Sequence, residues 1–443
     1  MDALEGFTPA TRSWFAGAFA APTAAQQGAW AAARAGHHAL VVAPTGSGKT
    51  LAAFLWALDR LVAEPPPAEP KHRCRVLYVS PLKALAVDVE RNLRSPLAGI
   101  RQAAHRLGLP MPEITVGMRT GDTAADERRR FARTPPDVLV TTPESLFLLL
   151  TSAARESLRG VRTVIVDEVH AVAGTKRGAH LALSLERLDE LLRRSPDDTE
   201  GGGQGPAQRI GLSATVRPVD EVSSFLAGSQ PVQVIRPAIP KTIEVRVEVP
   251  VPDLAALDVR PDPGSTDEEI IGSAAGSAQR PSIWPAVERR VLELVRAHRS
   301  TIVFANSRRL AERLTSKLNE LAAQQTELRP GDRFPAEAIG ESGLSTGADP
   351  VVAKAHHGSM SREQRTAVEE ELKAGQLPCV VATSSLELGI DMGAVDLVVQ
   401  VEAPPSVASG LQRVGRAGHQ VGAVSRGVVF PKFRGDLVSC AVV

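Results

Sequence analysis

At 443 residues the chain is too long for one ordinary domain, and with 43% hydrophobic residues each half can bury a core of its own. A formal net charge of +1 excludes a global basic field, so affinity for nucleic acid has to come from a local groove. No stretch reaches the ~18 apolar residues of a membrane span, and residues 1–17 lack a signal-peptide core. Cys74, Cys379 and Cys440 are scattered without metal-like spacing, which reads as buried thiols in a reducing cytoplasm. Short β-rich runs alternate with helical stretches. Strands are expected at 39–43, 76–79, 138–141, 164–167 and 210–213, and a second series at 301–305, 380–383 and 397–401. Near-continuous apolar strands separated by helices imply an α/β fold with parallel sheets buried on both faces and flanked by helices. Residues 250–282 break the rhythm with Pro, Gly, Asp and Ser, including Pro261-Asp-Pro-Gly264, and read as a flexible insertion near a domain boundary. The expected division is 1–240, a linker at 241–285, and 286–443. Smaller breaks fall at 195–206 and 329–350. Residues 435–443 read as a helix cut off as it begins, as in a piece of something longer.

The first chemical signal is Ala43-Pro-Thr-Gly-Ser-Gly-Lys-Thr50, between an apolar strand and a helix expected over 51–61. Strand, phosphate loop and helix in that order form a triphosphate grip. Thr45, Gly46, Ser47 and Gly48 make the loop, and the glycines let backbone N–H groups approach phosphate oxygens at a helix start that already favours anions. Lys49 reaches the β- and γ-phosphates of ATP, and Thr50 offers its hydroxyl to Mg2+. Asp167-Glu168 follows the apolar run Val164-Ile-Val166, which puts two carboxylates at the C-terminal edge of a parallel sheet. Asp167 holds Mg2+, and Glu168 orients and deprotonates the attacking water. In Pro22-Thr23-Ala-Ala-Gln26 the Gln26 amide can both donate to and accept from the adenine edge, while plain helix capping by Thr23 explains the same residues. Either Phe15 or Phe19 is placed to stack on the base.

The second half carries Gln412-Arg-Val-Gly-Arg-Ala-Gly418, with two arginines in a glycine-punctuated segment. Arg416 is the expected arginine finger, and Arg413 contacts phosphate or bridges the halves. Gly389 and Asp391 form a turn that can approach the ribose. Ser213 and Thr215, with Gln412, are expected to couple the acidic cluster to the second half. His170 joins that cluster or is a satisfied core histidine.

Two segments share a design for gripping a nucleic-acid backbone. Ser80-Pro81-Leu82-Lys83 and Thr142-Pro143-Glu144-Ser145 each follow a strand and place a hydroxyl before a proline, a helix-start signature. Such starts present N–H groups to a phosphate, and Lys83 adds charge. In the second half Ser361 and Gln364 read as a capping box, and His357, Gly358 and Thr383 line the same track. Contacts of this kind grip phosphates, so little sequence preference is expected. Capping alone is the competing explanation for each segment.

Taken in order, these motifs resemble superfamily 2 helicases of the DEAD/DEAH type, over roughly residues 14–433. The strings Asp167-Glu-Val-His-Ala-Val-Ala-Gly-Thr-Lys-Arg-Gly178, Ala355-His-His-Gly-Ser-Met-Ser-Arg362 and Gln412-Arg-Val-Gly-Arg-Ala-Gly-His419 narrow the resemblance to the bacterial large helicase-related (Lhr) family. The resemblance implies two tandem RecA-like domains and an ATP-dependent translocase stimulated by single-stranded DNA. It also implies 3′ to 5′ movement, a link to DNA repair, and a winged helix beyond the two motor lobes. Many related helicases have an arginine where this chain has His419, so no finger role goes to it. The expected cycle holds ATP between Lys49, Asp167 and Glu168 on one lobe and Arg416 on the other, with closure and reopening advancing the strand. An RNA helicase and a binding-only pair of lobes are the alternatives. A small-molecule kinase with a phosphate loop leaves 412–418 unexplained.

Overall fold

The computed structural model describes residues 3–44, 46–194, 205–214, 216–238, 242–254, 282–327, 351–387, 395–418 and 423–442. The chain forms two compact units, which divide after residue 240.

In the first unit the strands are β1 (His38–Val42), β2 (Val76–Val79), β3 (Val116–Arg119), β4 (Val138–Thr141), β5 (Thr163–Val166), β6 (Gln208–Ser213) and β7 (Val232–Ile235). Among the described residues they make one seven-stranded sheet in the order β3-β4-β2-β5-β6-β1-β7. Every pairing is parallel. Side chains of the inner strands alternate between two cores, as a pleated strand buried on both faces requires. Ala39, Val41, Val76, Tyr78, Val138, Val140 and Ile165 join a core built around Trp30 and Phe54. Leu40, Val42, Leu77, Val79, Leu139, Val164 and Val166 join another, with Leu181, Leu185 and Leu188 of the helix Lys176–Arg193. Trp30 also donates its indole N–H to the Ala52 carbonyl at 3.0 Å, which ties the helix Ala24–Arg34 to the helix Lys49–Ala63.

The second unit repeats the design with β8 (Ile243–Val247), β9 (Thr301–Ala305), β10 (Ala353–His356), β11 (Cys379–Ala382), β12 (Leu397–Val401) and β13 (Ser425–Phe430). Its described strands form a six-stranded sheet in the order β10-β11-β9-β12-β13-β8, again parallel throughout. Val303, Val381 and Val399 pack with Val291, Leu314 and Leu318 of the covering helices. Two tandem sheets, each parallel and flanked by helices, are the architecture of paired RecA-like domains.

The strand at 243–247 lies inside the stretch assigned above to a linker; it pairs with β13 from Ile243 to Val247. Of the insertion at 250–282 and the break at 195–206, residues 255–281 and 195–204 lie outside the described residues, as does the whole break at 329–350. The three cysteines are all buried and free. Among the described residues no helix is long and apolar enough to cross a membrane.

Burial decides which substitutions the first sheet feels. Leu77 on β2 is fully buried, whereas Leu148 is 53% exposed. Leu77→Ala should cost about 2–5 kcal/mol through lost transfer energy and the cavity left behind. Leu148→Ala should stay within about 0.5 kcal/mol. Urea unfolding of both variants checks the contrast.

Candidate nucleotide and nucleic-acid site

After β1 the chain turns through Gly46 and Gly48, whose φ values of 80° and 79° are left-handed. A side chain at Gly48 would also place its Cβ 2.7 Å from Gln26 Nε2. Only glycine meets both conditions. Gly48 is the N-cap of the helix Lys49–Ala63 and makes no side-chain hydrogen bond there, and a helix start of this kind favours an anion. The loop is tied down from beneath: Ser47 Oγ donates to Pro44 O at 2.7 Å, and Thr23 Oγ1 donates to Ser47 O at 3.0 Å. Lys49 is buried and rests its ammonium on the loop's own Ala43 carbonyl, while Thr50 is exposed. Thr45 lies outside the described residues.

Both readings of Thr23 and Gln26 meet in one geometry. Thr23 Oγ1 accepts from the Gln26 N–H at 3.3 Å, and Gln26 Oε1 accepts from the Thr23 N–H at 2.9 Å, a reciprocal capping box. That occupies the amide oxygen and leaves the NH2 end against the phosphate loop. Phe15 is buried edge-on to Trp30 at 5.5 Å, whereas Phe19 is 42% exposed.

The acidic pair follows β5. Asp167 Oδ1 accepts the Glu168 N–H at 2.9 Å, and its Oδ2 accepts from the Tyr78 hydroxyl. Burial, followed by the adjacent Glu168 charge, raises Asp167 to about 7; the Tyr78 hydrogen bond and Lys49 pull the other way. Burial also pushes the Tyr78 phenol well above its ordinary value, so it stays a donor. Glu168 has φ 44°, a left-handed conformation that a side chain adopts at a cost. Its Oε2 is buried without a hydrogen-bond partner in the protein and lies 3.5 Å from His170 Nδ1. His170 Nδ1 in turn sits 2.8 Å from Ser213 Oγ at the end of β6. Thr215 lies outside the described residues.

These residues fit a magnesium ion bound with phosphates. Two buried carboxylates stand side by side, and one oxygen lacks a hydrogen bond. Such hard oxygen donors, one or two per site with phosphates completing the shell, are how Mg2+ is usually held. Among the described residues no group of three or more His, Cys, Asp or Glu forms a protein-only cage.

At the ends of β2 and β4 the two helix-start segments differ. Pro143 does open the helix Pro143–Leu150 with Thr142 as N-cap, but Thr142 Oγ1 donates to Ser145 Oγ at 3.2 Å and caps no N–H. Pro81 is not at a first helical position: the helix Lys83–Arg106 begins two residues later, with Leu82 as N-cap. Ser80 Oγ donates to Leu82 O at 2.9 Å and so holds Pro81 in a turn instead. Lys83 pairs with Asp122 at 2.7 Å, both exposed. Sequence reasoning missed Arg177. Its guanidinium donates to both Glu144 carboxylate oxygens, one at 3.0 Å, and to the Pro81 carbonyl. That pairing holds Glu144 below the usual carboxylate range and joins the two segments. Only its place in the string from Asp167 to Gly178 signalled it.

In the second unit Arg413 is buried and fully engaged. It donates to Glu387 Oε2 through two nitrogens at 3.0 Å, to Asn306 Oδ1 at 3.0 Å and to Gln400 Oε1 at 2.8 Å. Its guanidinium also lies 5.3 Å from the Phe304 ring centre. Asn306, Gln400 and Glu387 were not singled out in the sequence. Arg416 is buried too, and donates to the Glu387 carbonyl at 3.0 Å. Gln412 precedes Arg413 on the helix Val407–Val414. His357 is buried and within 3.1 Å of Glu312, and Gly358 follows it. Thr383 caps the short turn Ser384–Leu386, and its N–H donates to His356 O at 3.2 Å. The capping box of Ser361 and Gln364 is present. Gly389 and Asp391, and His419, lie outside the described residues.

The DEAD/DEAH box helicase profile matches residues 23–222, and the helicase conserved C-terminal domain profile matches residues 337–420. The chain is 61% identical to an Lhr helicase/probable uracil glycosylase of Mycolicibacterium smegmatis, across 100% of this chain and 28% of that protein. It is 54% identical to the Lhr helicase/uracil glycosylase of Escherichia coli, across 99% of this chain and 28% of that protein. Among solved structures, the Mycobacterium smegmatis helicase Lhr bound to single-stranded DNA and AMP-PNP superposes with a TM-score of 0.82 at 59% identity, covering 100% of this chain and 50% of that one. The matched profiles, with the tandem parallel sheets, define the class: a superfamily 2 helicase of the DEAD/DEAH type. Within that class the chain belongs to the Lhr family and corresponds to the N-terminal motor core of those longer proteins.

The buried carboxylate carries a pH signature. Folding keeps Asp167 protonated up to about 7, while an unfolded aspartate releases its proton near ~4. The folded state therefore binds more protons between those values, and Asp167 costs stability progressively as pH rises from about 4 to about 7. Asp167→Asn, which mimics the protonated form, should raise the melting temperature of the nucleotide-free chain at pH 8. The gain should shrink as pH falls toward ~4. Melting curves across that range check it, and a gain independent of pH counts against it.

Proposed function

We propose that the chain is the ATP-hydrolysing motor core of a DNA helicase, which translocates 3′ to 5′ on single-stranded DNA and serves DNA repair on the cytoplasmic nucleoid. The observation that carries this reading is the acidic pair Asp167-Glu168, buried beside β6 with the glycine-capped helix start at Lys49 on the other flank of that strand. The relative bound to single-stranded DNA and AMP-PNP supports the choice of track and of nucleotide.

In this reading Lys49 leaves the Ala43 carbonyl for the β- and γ-phosphates of ATP, which also accept from loop N–H groups at 46–50. Gln26 presents its amide to the adenine, with Phe19 as the exposed ring beside it. Gly389 and Asp391 approach the ribose. Thr50 and Asp167 hold Mg2+, which when bound neutralises phosphate charge and polarises the phosphoryl group. Glu168 takes the proton of the attacking water; its strained backbone and its unbonded Oε2 are suited to a base held ready. Arg416 acts on the transferring phosphoryl group, and Arg413, already held by four hydrogen bonds, positions the segment that carries it. His170 and Ser213, with Thr215 and Gln412, couple turnover to movement. Pro81, Lys83, Thr142 and Pro143 in the first unit, and His357, Gly358 and Thr383 in the second, take backbone phosphates of the DNA. Lys83 must exchange Asp122 for phosphate to do so, which makes binding salt-dependent.

The test is ATP hydrolysis by the purified chain with no nucleic acid, with single-stranded DNA and with single-stranded RNA. Stimulation by DNA that disappears in Glu168→Gln and Lys49→Ala is expected; stimulation by RNA alone, or full turnover in either variant, rejects the reading. Arg416→Ala should lower kcat by about 1,000-fold while ATP binding changes far less. Equal losses in both quantities would remove Arg416 from the chemistry.

A further inference from the structure

The chain has a single tyrosine, and it sits where a phenol is hard to place. Tyr78 is fully buried in β2, which β5 separates from β6, the neighbour of the phosphate-loop strand β1. A buried hydroxyl needs a partner, and the one it has is Asp167 Oδ2. The other Asp167 oxygen is occupied by the Glu168 N–H at 2.9 Å, so both oxygens of that carboxylate are orientated. The ring has a partner of its own: it stacks on Phe54, with centroids 5.0 Å apart and planes 28° from parallel. Phe54 belongs to the helix that begins at Lys49. One side chain therefore spans from the helix behind the phosphate loop to the carboxylate after β5, through a ring contact at one side and a hydroxyl at the other.

We propose that Tyr78 is a positioning residue for Mg2+ in the nucleotide site: its hydroxyl holds the Asp167 carboxylate in the orientation that receives the ion, and its ring keys that orientation to the phosphate-loop helix. This role for Tyr78, a residue outside every motif of the site, rests on the nucleotide reading above. The chemistry favours the phenol over a charged donor. A lysine or arginine in its place would neutralise Asp167 and compete with the cation, whereas a neutral O–H fixes the carboxylate and leaves its charge available. Phenylalanine would preserve the packing and the stack and remove only the orientation.

That difference sets the experiment. The affinity of the chain for a fluorescent ADP is measured in Mg2+ and in EDTA, for the wild type, Tyr78→Phe, Asp167→Asn and the double variant, with melting curves for each. Tyr78→Phe should leave affinity in EDTA unchanged and reduce the Mg2+ enhancement about 10-fold, the scale of losing a group that orients a metal ligand. In the Asp167→Asn background, which carries no charge at position 167 and keeps the ring, adding Tyr78→Phe should change the enhancement no further. An enhancement in Tyr78→Phe equal to the wild type overturns the proposal, and so does an equal loss in Mg2+ and EDTA or a further loss in the double variant. A wild-type chain whose ADP affinity ignores both Mg2+ and Lys49→Ala would instead sink the nucleotide reading itself.

Discussion

In the first unit β6 lies hydrogen-bonded between β1 and β5, all three running the same way, with Leu40, Gly211 and Val166 level across the sheet. That register places the phosphate loop, Ser213 and the acidic pair at one edge, because each stands where its strand stops. The neighbours extend the edge: the Asp167 N–H donates to Val79 O at 3.0 Å, and the Ser80 N–H donates to Thr141 O at 2.9 Å. A parallel sheet can exist here only because helices cover both faces, so the two cores and the site depend on the same pairing. Moving one strand by a single residue would invert its buried faces and shift its terminal residue along the edge.

Charge burial is handled differently in the two units. Asp167 and Glu168 are buried as neighbours beside a phenol, a backbone N–H and a histidine, and the charge of Lys49 offsets only part of the cost. The result is a carboxylate pushed toward its proton, an arrangement that favours arrival of a cation. Arg413 is buried with its counter-charge already in place, at Glu387, and with neutral acceptors from Asn306 and Gln400. The first arrangement leaves Glu168 Oε2 without a hydrogen bond, and the second satisfies its charge within the protein. The contrast between an unsatisfied carboxylate and a satisfied guanidinium is invisible in motif strings that list both alike.

Much of this was legible in the chain. Every interior strand of the first sheet lies within a residue or two of its expected place, as do β9, β11 and β12 of the second. Those strands are buried on both faces and therefore read as apolar runs. The strands that sequence reasoning passed over include all four sheet edges: β3, β7, β8 and β10. Edge strands have a solvated side; β8 reads Ile-Glu-Val-Arg-Val and is mostly exposed, so it has no apolar signature. β13 was missed for a local reason, since Ser425-Arg-Gly427 opens it without an apolar residue.

The site divides along the same line. Lys49, the glycines before it and the pair Asp167-Glu168 stand at strand ends where the sequence expected them, because each belongs to a motif of short, fixed spacing after an apolar run. Pro81 was misread, because Ser80 could cap a helix or close a turn, and only its bond to Leu82 O decided between them. Tyr78, Arg177 and Asn306 could not be assigned from the chain, since each acts on a partner 89, 33 or 107 positions away. Local covalent spacing determined which groups could hold a triphosphate; strand order and register, which depend on long-range burial, decided which side chains hold those groups in place.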